Sequence, residues 1–311
     1  MVVVAGSLLF AVLASSCSGD GGDDEQPEDT TTTTSSTTTT STPSTTSTTI
    51  DLDAPPIAAD DPAGLAQQIA DAEATVRGDG ASDDEIALAA HTAQVAYRAL
   101  AAEPSWDAEV RALLPESLRP VMDANVAAGR ELRSLVRNPR PNLPAWRIVA
   151  PEPIDVLRRH YEAAEAEFGV PWQYLAAVHL TETRMGRIRG TSTAGAQGPM
   201  QFLPSTWEAY GEGDINDTGD AIRAAARYLK ANGAPERMAD ALYRYNPTPK
   251  YVNAVTAYAE QMVADERAYV GYYHWQVYYW STLGDVWLQV GYERSEERPV
   301  TPDDVPVAAK T

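Results

Sequence analysis

The sequence predicts a mainly α-helical protein. From Pro62 onward, apolar residues return at intervals of three and four, and Ala, Leu, Glu and Arg dominate. Gly- and Pro-rich breakers separate these periodic stretches, while strand-forming aromatic runs are confined to the C-terminal part of the chain.

The elements run in order from the N-terminus. Val2 to Leu13 is an apolar run of signal-peptide size that closes on Ala14-Ser15-Ser16 before Cys17. It resembles a bacterial lipobox. The resemblance implies a signal peptide over 1–17, with a lipid anchor on Cys17 at the outer face of the cytoplasmic membrane. The alternative is a secretory peptide cleaved nearby, with the protein released. Either reading exports the protein, and as Cys17 is the sole cysteine, no intramolecular disulfide supports the exported fold.

Residues 18–56 carry eight acidic groups and no basic one, and Thr30 to Thr49 holds only Thr, Ser and one Pro. Such a composition cannot bury a core, which predicts a disordered linker. Fully extended it reaches about 130 Å, and as a coil it averages roughly 35 Å. That suits either a tether that lets a head search a wall layer or a plain solubilising spacer.

The formal net charge of −20 lies mostly outside residues 146–270, which hold 16 acidic and 13 basic groups. Nucleic acid would reward clustered Lys and Arg, so it is excluded as a partner. A neutral polysaccharide needs no such field.

In 57–145, Ile69, Ala72 and Val76, then Ile86, Ala89, Ala93, Tyr97 and Leu100, mark two amphipathic helices around the breaker Gly78-Asp79-Gly80. Ser82, with Glu85 three residues on, reads as a capping box for the second. The pattern continues from Leu113 to Val136, and the Pro-rich stretch 138–144 is the expected boundary. This N-terminal helical region reads as a scaffold, whose plainest role is to brace the C-terminal half of the chain.

A helix is expected from about Pro153, with Ile154, Leu157, Tyr161, Ala164 and Phe168 on one face and Gly169 as its stop. Pro171 opens the next, Trp172 to Met185. Glu182 lies seven residues after Leu175, so its carboxyl falls beside the apolar stripe, a placement that favours a raised pKa. Paired with Arg184 or Arg187 it would instead be an ordinary surface carboxylate. His179 and Glu182 could seed a metal site, but no third ligand lies near, and a buried, hydrogen-bonded histidine is the better reading.

After Glu182 comes Thr191-Ser-Thr-Ala-Gly-Ala-Gln-Gly-Pro-Met-Gln-Phe-Leu-Pro-Ser-Thr-Trp207. Its small residues let backbone approach a polymer closely, Gln201 offers an amide, and Pro204-Ser205-Thr206 reads as a helix start with a capping hydroxyl. Further on stand Ala224-Ala-Ala-Arg-Tyr-Leu229, Tyr245-Asn246 and Tyr251 to Tyr258. In order and spacing, residues 146–265 resemble the goose-lysozyme-like lytic transglycosylases, the SLT family.

The resemblance implies a lysozyme-like, goose-type helical catalytic domain over 146–270, acting on peptidoglycan strands. It implies cleavage of the β-1,4 bond between N-acetylmuramic acid and N-acetylglucosamine without water, closing a 1,6-anhydro ring. In the family one Glu serves as acid and then base, and Glu182 takes its position. Thr183, Gly198, Met200, Gln201, Tyr245 and Asn246 fall on substrate-binding positions, with Tyr245 able to hold the acid by a hydrogen bond and Asn246 able to orient an N-acetyl group. Met200 as core filler and Tyr245 as packed aromatic are the structural alternatives. Thr183 departs from the family's usual Ser, and Pro247 from its usual small residue.

No second carboxylate stands between Glu182 and Trp207, which suits a one-acid mechanism. Asp214, Asp217 and Asp220 read as loop and cap residues. The run 212–217 lacks an EF-hand's terminal glutamate spacing. No metal and no cofactor are expected, and the sequence names no protein partner. A hydrolytic goose-type muramidase and a non-catalytic wall-binding lipoprotein are the alternatives.

In 271–311, Gln276 to Ser281 and Val286 to Val290 read as a small aromatic hairpin around Leu283-Gly284-Asp285. Its rings would either stack on sugar faces or pack onto the helices.

Overall fold

The computed structural model describes residues 52–305. Cys17, the apolar run before it and nearly all of the acidic linker lie outside the described residues.

The N-terminal region forms α1 (Pro62–Arg77), α2 (Asp83–Ala102), α3 (Asp107–Leu113) and α4 (Arg119–Leu135). Gly78 closes α1, and the Ser82–Glu85 capping box opens α2, as the sequence predicts. The single helix read over 113–136 is divided instead. Leu114 and Pro115 are extended, and a 3-10 turn precedes α4, because Pro120 is accepted only in a first helical turn.

Residues 138–144 are more than a boundary: Asn142–Leu143 forms β1, which pairs antiparallel with β6 (Arg298–Pro299). Arg147–Ile148 (β2) pairs with Ile188–Arg189 (β3), and Val277–Ser281 (β4) with Gly284–Leu288 (β5). The hairpin's turn is therefore Thr282-Leu283, with Gly284 and Asp285 already in β5. Ser281 sets it, its hydroxyl donating to the Gly284 carbonyl at 2.7 Å and accepting from the Leu283 amide.

The remaining helices are α5 (Ile154–Phe168), α6 (Trp172–Thr183), α7 (Pro204–Tyr210), α8 (Thr218–Ala231), α9 (Met238–Tyr245), α10 (Pro249–Ala264) and α11 (Arg267–His274). Gly169 ends α5 at φ 71, a left-handed position that suits glycine. Asp217 caps α8 through the Asp220 amide. At α7 the expected capping hydroxyl is not made. Leu203 is the N-cap residue, Pro204 supplies the preset φ, and Thr206 is buried within the helix.

The core is continuous from Leu65 to Trp275. α6 lies inside it, packed by α5, α8, α10 and α11, and its apolar residues surround the axis instead of forming one stripe. α4 lies along α10, while α1 and α2 pack on each other and on α11. A second, smaller core joins Leu143, Trp146, Ile148 and Ile188 to Val277, Tyr279, Val286 and Leu288 of the hairpin. Among the described residues, no helix is long and apolar enough to cross a membrane.

Candidate active site

α6 delivers Glu182 to the interior because the helix is enclosed along its whole length. It stops abruptly one residue later, where Arg184, Met185 and Gly186 adopt φ values of 55, 58 and 81. Two consecutive non-glycine residues in the left-handed region carry strain that only fixed surroundings maintain. Thr183 supplies part of that fixation. Its hydroxyl donates to the Pro199 carbonyl at 2.6 Å and accepts the Gly186 amide at 3.1 Å.

Glu182 is 6% exposed. Neither Arg184 nor Arg187 pairs with it: the first donates to the Leu180 carbonyl, and the second lies over the Tyr273 ring. Burial without a cation pushes the carboxyl up to about 8, and a hydrogen bond from Tyr251 Oη to Oε1, at 2.8 Å, opposes the shift. The acid is therefore neutral, and able to donate a proton, at pH 7.

The partner tyrosine differs from the sequence expectation. Tyr245 does not hold the acid, because its hydroxyl donates to the Met200 carbonyl at 2.6 Å. Tyr251, on the first turn of α10, takes that place, and the two rings stack with planes 2° apart. The signal that could have found it is the spacing of Tyr251, Val255, Tyr258 and Met262, the inward face of a helix that starts just past the Tyr245-Asn246 turn.

The glycine-rich loop is held from both sides. Thr183 takes the carbonyl of Pro199 and Tyr245 that of Met200, so adjacent peptide groups are bonded to α6 and to α9. Gln201, at φ 52, donates its amide to the Gly190 and Gly198 carbonyls at 3.3 and 3.0 Å. Gly198, at φ 75, is required: a Cβ there would lie 1.9 Å from the Ile215 carbonyl oxygen. Thr183, Met200 and Tyr245 are wholly enclosed, which makes them supports of the loop instead of lining for an open cleft. Gln201 and Asn246 are 7% and 3% exposed, and Gly198 borders a small opening with Arg189, Gly190, Thr191, Gln197 and Asn216.

His179 is buried, as expected, with Nδ1 2.8 Å from the Tyr161 hydroxyl, and burial pushes its pKa down to about 3. It is a neutral packing residue one turn before the acid. Asp214 and Asp220 bind amides of their own loop, at Asn216 and Asp214.

A helical domain with a buried glutamate of raised pKa at the end of its central helix, followed by a threonine that holds a glycine loop, has the lysozyme-like architecture. Comparison with known families agrees: the family described as Transglycosylase SLT domain matches residues 160–266, and this segment is similar to it. The membrane-bound lytic murein transglycosylase F of Thiobacillus denitrificans is 30% identical over 92 residues. That match covers 29% of this chain and 19% of the relative, so the chain spans about a fifth of the relative's length. No solved structure matches the chain significantly.

Proposed function

We propose that the protein is a peptidoglycan lytic transglycosylase of the cell envelope, with Glu182 as its general acid and base. In this reading Glu182 protonates the oxygen between N-acetylmuramic acid and N-acetylglucosamine, and the C1–O bond breaks with oxocarbenium character. The resulting carboxylate then takes the proton of the muramoyl C6 hydroxyl as that oxygen closes on C1. The glutamate is regenerated, no water is consumed, and the product ends in a 1,6-anhydro ring.

The observation that carries the reading is the buried carboxyl of Glu182 with its raised pKa, next in the chain to Thr183, which holds the glycine loop. Burial raises its pKa and the Tyr251 hydrogen bond opposes the rise, which suits an acid that gives up its proton and takes one back. The name of the relative, a membrane-bound lytic murein transglycosylase, supports the substrate and an envelope location. Attachment through a lipid on Cys17 completes the proposal.

Mass spectrometry of digested peptidoglycan tests it. Anhydro-muropeptides are expected; reducing-end muropeptides would mean hydrolysis, and no product would mean a binding protein. Anhydro product formed undiminished by Glu182→Gln would overturn the role of Glu182.

A further inference from the structure

A second opening, of about 180 Å³, lies where α2, α4, α10, the end of α6 and the hairpin strand β4 meet. Most of its lining comes from outside residues 160–266. Four arginines line it, Arg98, Arg133, Arg140 and Arg184, and no Asp or Glu does. In a chain of net charge −20, that is a local reversal of sign.

Among the described residues, one carboxylate is shared by Arg98 and Arg133. Asp285 holds Arg98 at 2.6 Å and stands 3.9 Å from Arg133. Arg184 uses one nitrogen on the Leu180 carbonyl. Burial works most strongly against the charge on Arg133 and Arg184; Asp285 offsets part of this at Arg133 and Tyr258 part at Arg184, while the nearby Arg98 adds to it, so an anion entering the pocket would relieve both guanidiniums. Aromatic faces keep the guanidiniums flat: Arg133 lies 4.4 Å from the Trp280 ring centre and Arg98 4.8 Å from that of Tyr278.

The lining amides are already engaged. Gln94 bonds the Gln276 backbone in both directions, and Asn125 bonds the Val121 carbonyl and the Tyr272 hydroxyl. What the pocket offers a ligand is therefore guanidinium N–H groups inside aromatic and aliphatic walls. Planar forks of this kind suit a carboxylate, and the walls suit short side chains.

The helix that carries the acid also contributes to the pocket. Thr181 and the C-cap residue Arg184 line it from α6, one residue before and two after Glu182 in the chain, and Tyr258 lines it two turns along α10 from Tyr251.

From these placements we infer that the pocket binds the carboxylate-bearing peptide attached to the muramoyl residue, and so selects peptide-substituted strands. The inference rests on peptidoglycan being the substrate. The neutral sugars offer these arginines no anion, whereas the peptide carries free carboxylates close to the bond to be cut.

Calorimetry on the full chain, with N-acetylmuramoyl-L-alanyl-D-glutamate as probe, tests binding without turnover. The probe is expected to bind wild type and Glu182→Gln alike. Its glutamate α-amide form should bind about tenfold more weakly, and so should the free acid to Arg133→Gln. Gly129→Leu should fill the pocket and abolish binding, since a Cβ there meets only Ala101, at 3.9 Å. Arg133→Lys, which keeps the charge and loses the fork, should fall between. Thermal melting would confirm that each variant folds.

No binding to wild type, equal binding to Gly129→Leu, or inorganic phosphate competing as strongly as the acid would overturn the inference. Arg133-dependent binding by a protein that cleaves nothing would sink the catalytic proposal alone. Normal cleavage without binding would sink the pocket alone.

Discussion

Glu182 has a folded pKa of about 8 against an ordinary 4.5, which bears on both stability and rate. Below pH 4.5 both folded and unfolded chains hold the proton. Between 4.5 and 8 only the folded chain does, so its stability falls as pH rises, by about 1.4 kcal/mol per unit from this group. Glu182→Gln removes that slope, so urea denaturation should show the variant gaining on wild type by about 2–4 kcal/mol from pH 5 to 8. A constant difference would mean the carboxyl is not buried as described. Catalysis should fall as pH rises through about 8, where the acid ionises. The Tyr251 bond favours the ionised form, so Tyr251→Phe should move this limb to higher pH while lowering the rate about tenfold or more. Tyr245→Phe loses its bond to Met200 and should cost about 1 kcal/mol of stability, leaving the limb in place. A pH–rate profile of the two variants separates the tyrosines, a distinction the sequence could not supply. Both residues are buried aromatics near one turn, and which hydroxyl reaches the acid depends on the angle between α9 and α10.

The glycine loop is legible in sequence as composition but not as geometry. Gly198 falls where a backbone must come close, and it does so against the Ile215 carbonyl of its own chain. Gln201 reads as an amide available to a polymer, yet its nitrogen closes the loop on Gly190 and Gly198. Local patterns recover the starts and stops of α1, α2, α5 and α8, because Gly78, Ser82, Gly169 and Asp217 act on neighbours within four residues. They fail at α6, where the helix is apolar all round and ends through left-handed residues held by Thr183, a contact that depends on Pro199 sixteen positions away. Gly198→Ala should therefore disturb the loop far more than the fold. A left-handed alanine costs about 1–2 kcal/mol, and relief of the 1.9 Å contact must shift Gly198 or Ile215. The expected outcome is at least about a hundredfold loss of kcat/KM with a drop in Tm of about 10 °C or less. Unchanged kinetics would show that the loop tolerates the shift.

Across the whole molecule, the question is whether the residues before 146 are a separate module or part of the catalytic body. Their polar contacts point to the second. Tyr97 donates to Glu73 at 2.6 Å, Glu73 also binds Arg77, and Arg77 reaches across to Asp265 at the end of α10. Arg267 returns two bonds to the carbonyls of Val76 and Gly78, and Tyr272 donates to Asn125. Sequence periodicity could identify these as helices but not as partners, because each bond spans more than a hundred positions where it crosses the boundary. Around them, Tyr258, Tyr272 and Trp275 meet edge to face, 4.8 to 5.7 Å apart, beneath the N-terminal helices. A chain beginning at residue 146 would uncover this aromatic cluster and the α10 face that α4 covers. Each large apolar side chain it exposed would forfeit about 1.5–3 kcal/mol, against a total stability of about 5–15 kcal/mol for a typical domain. Such a fragment should bind a hydrophobic dye, aggregate in sedimentation experiments and lack a cooperative melt. A fragment of residues 146–305 that stayed monomeric and melted at the full chain's temperature would show that the N-terminal helices are dispensable to the fold, and with them the aromatic contacts that hold the arginine pocket together.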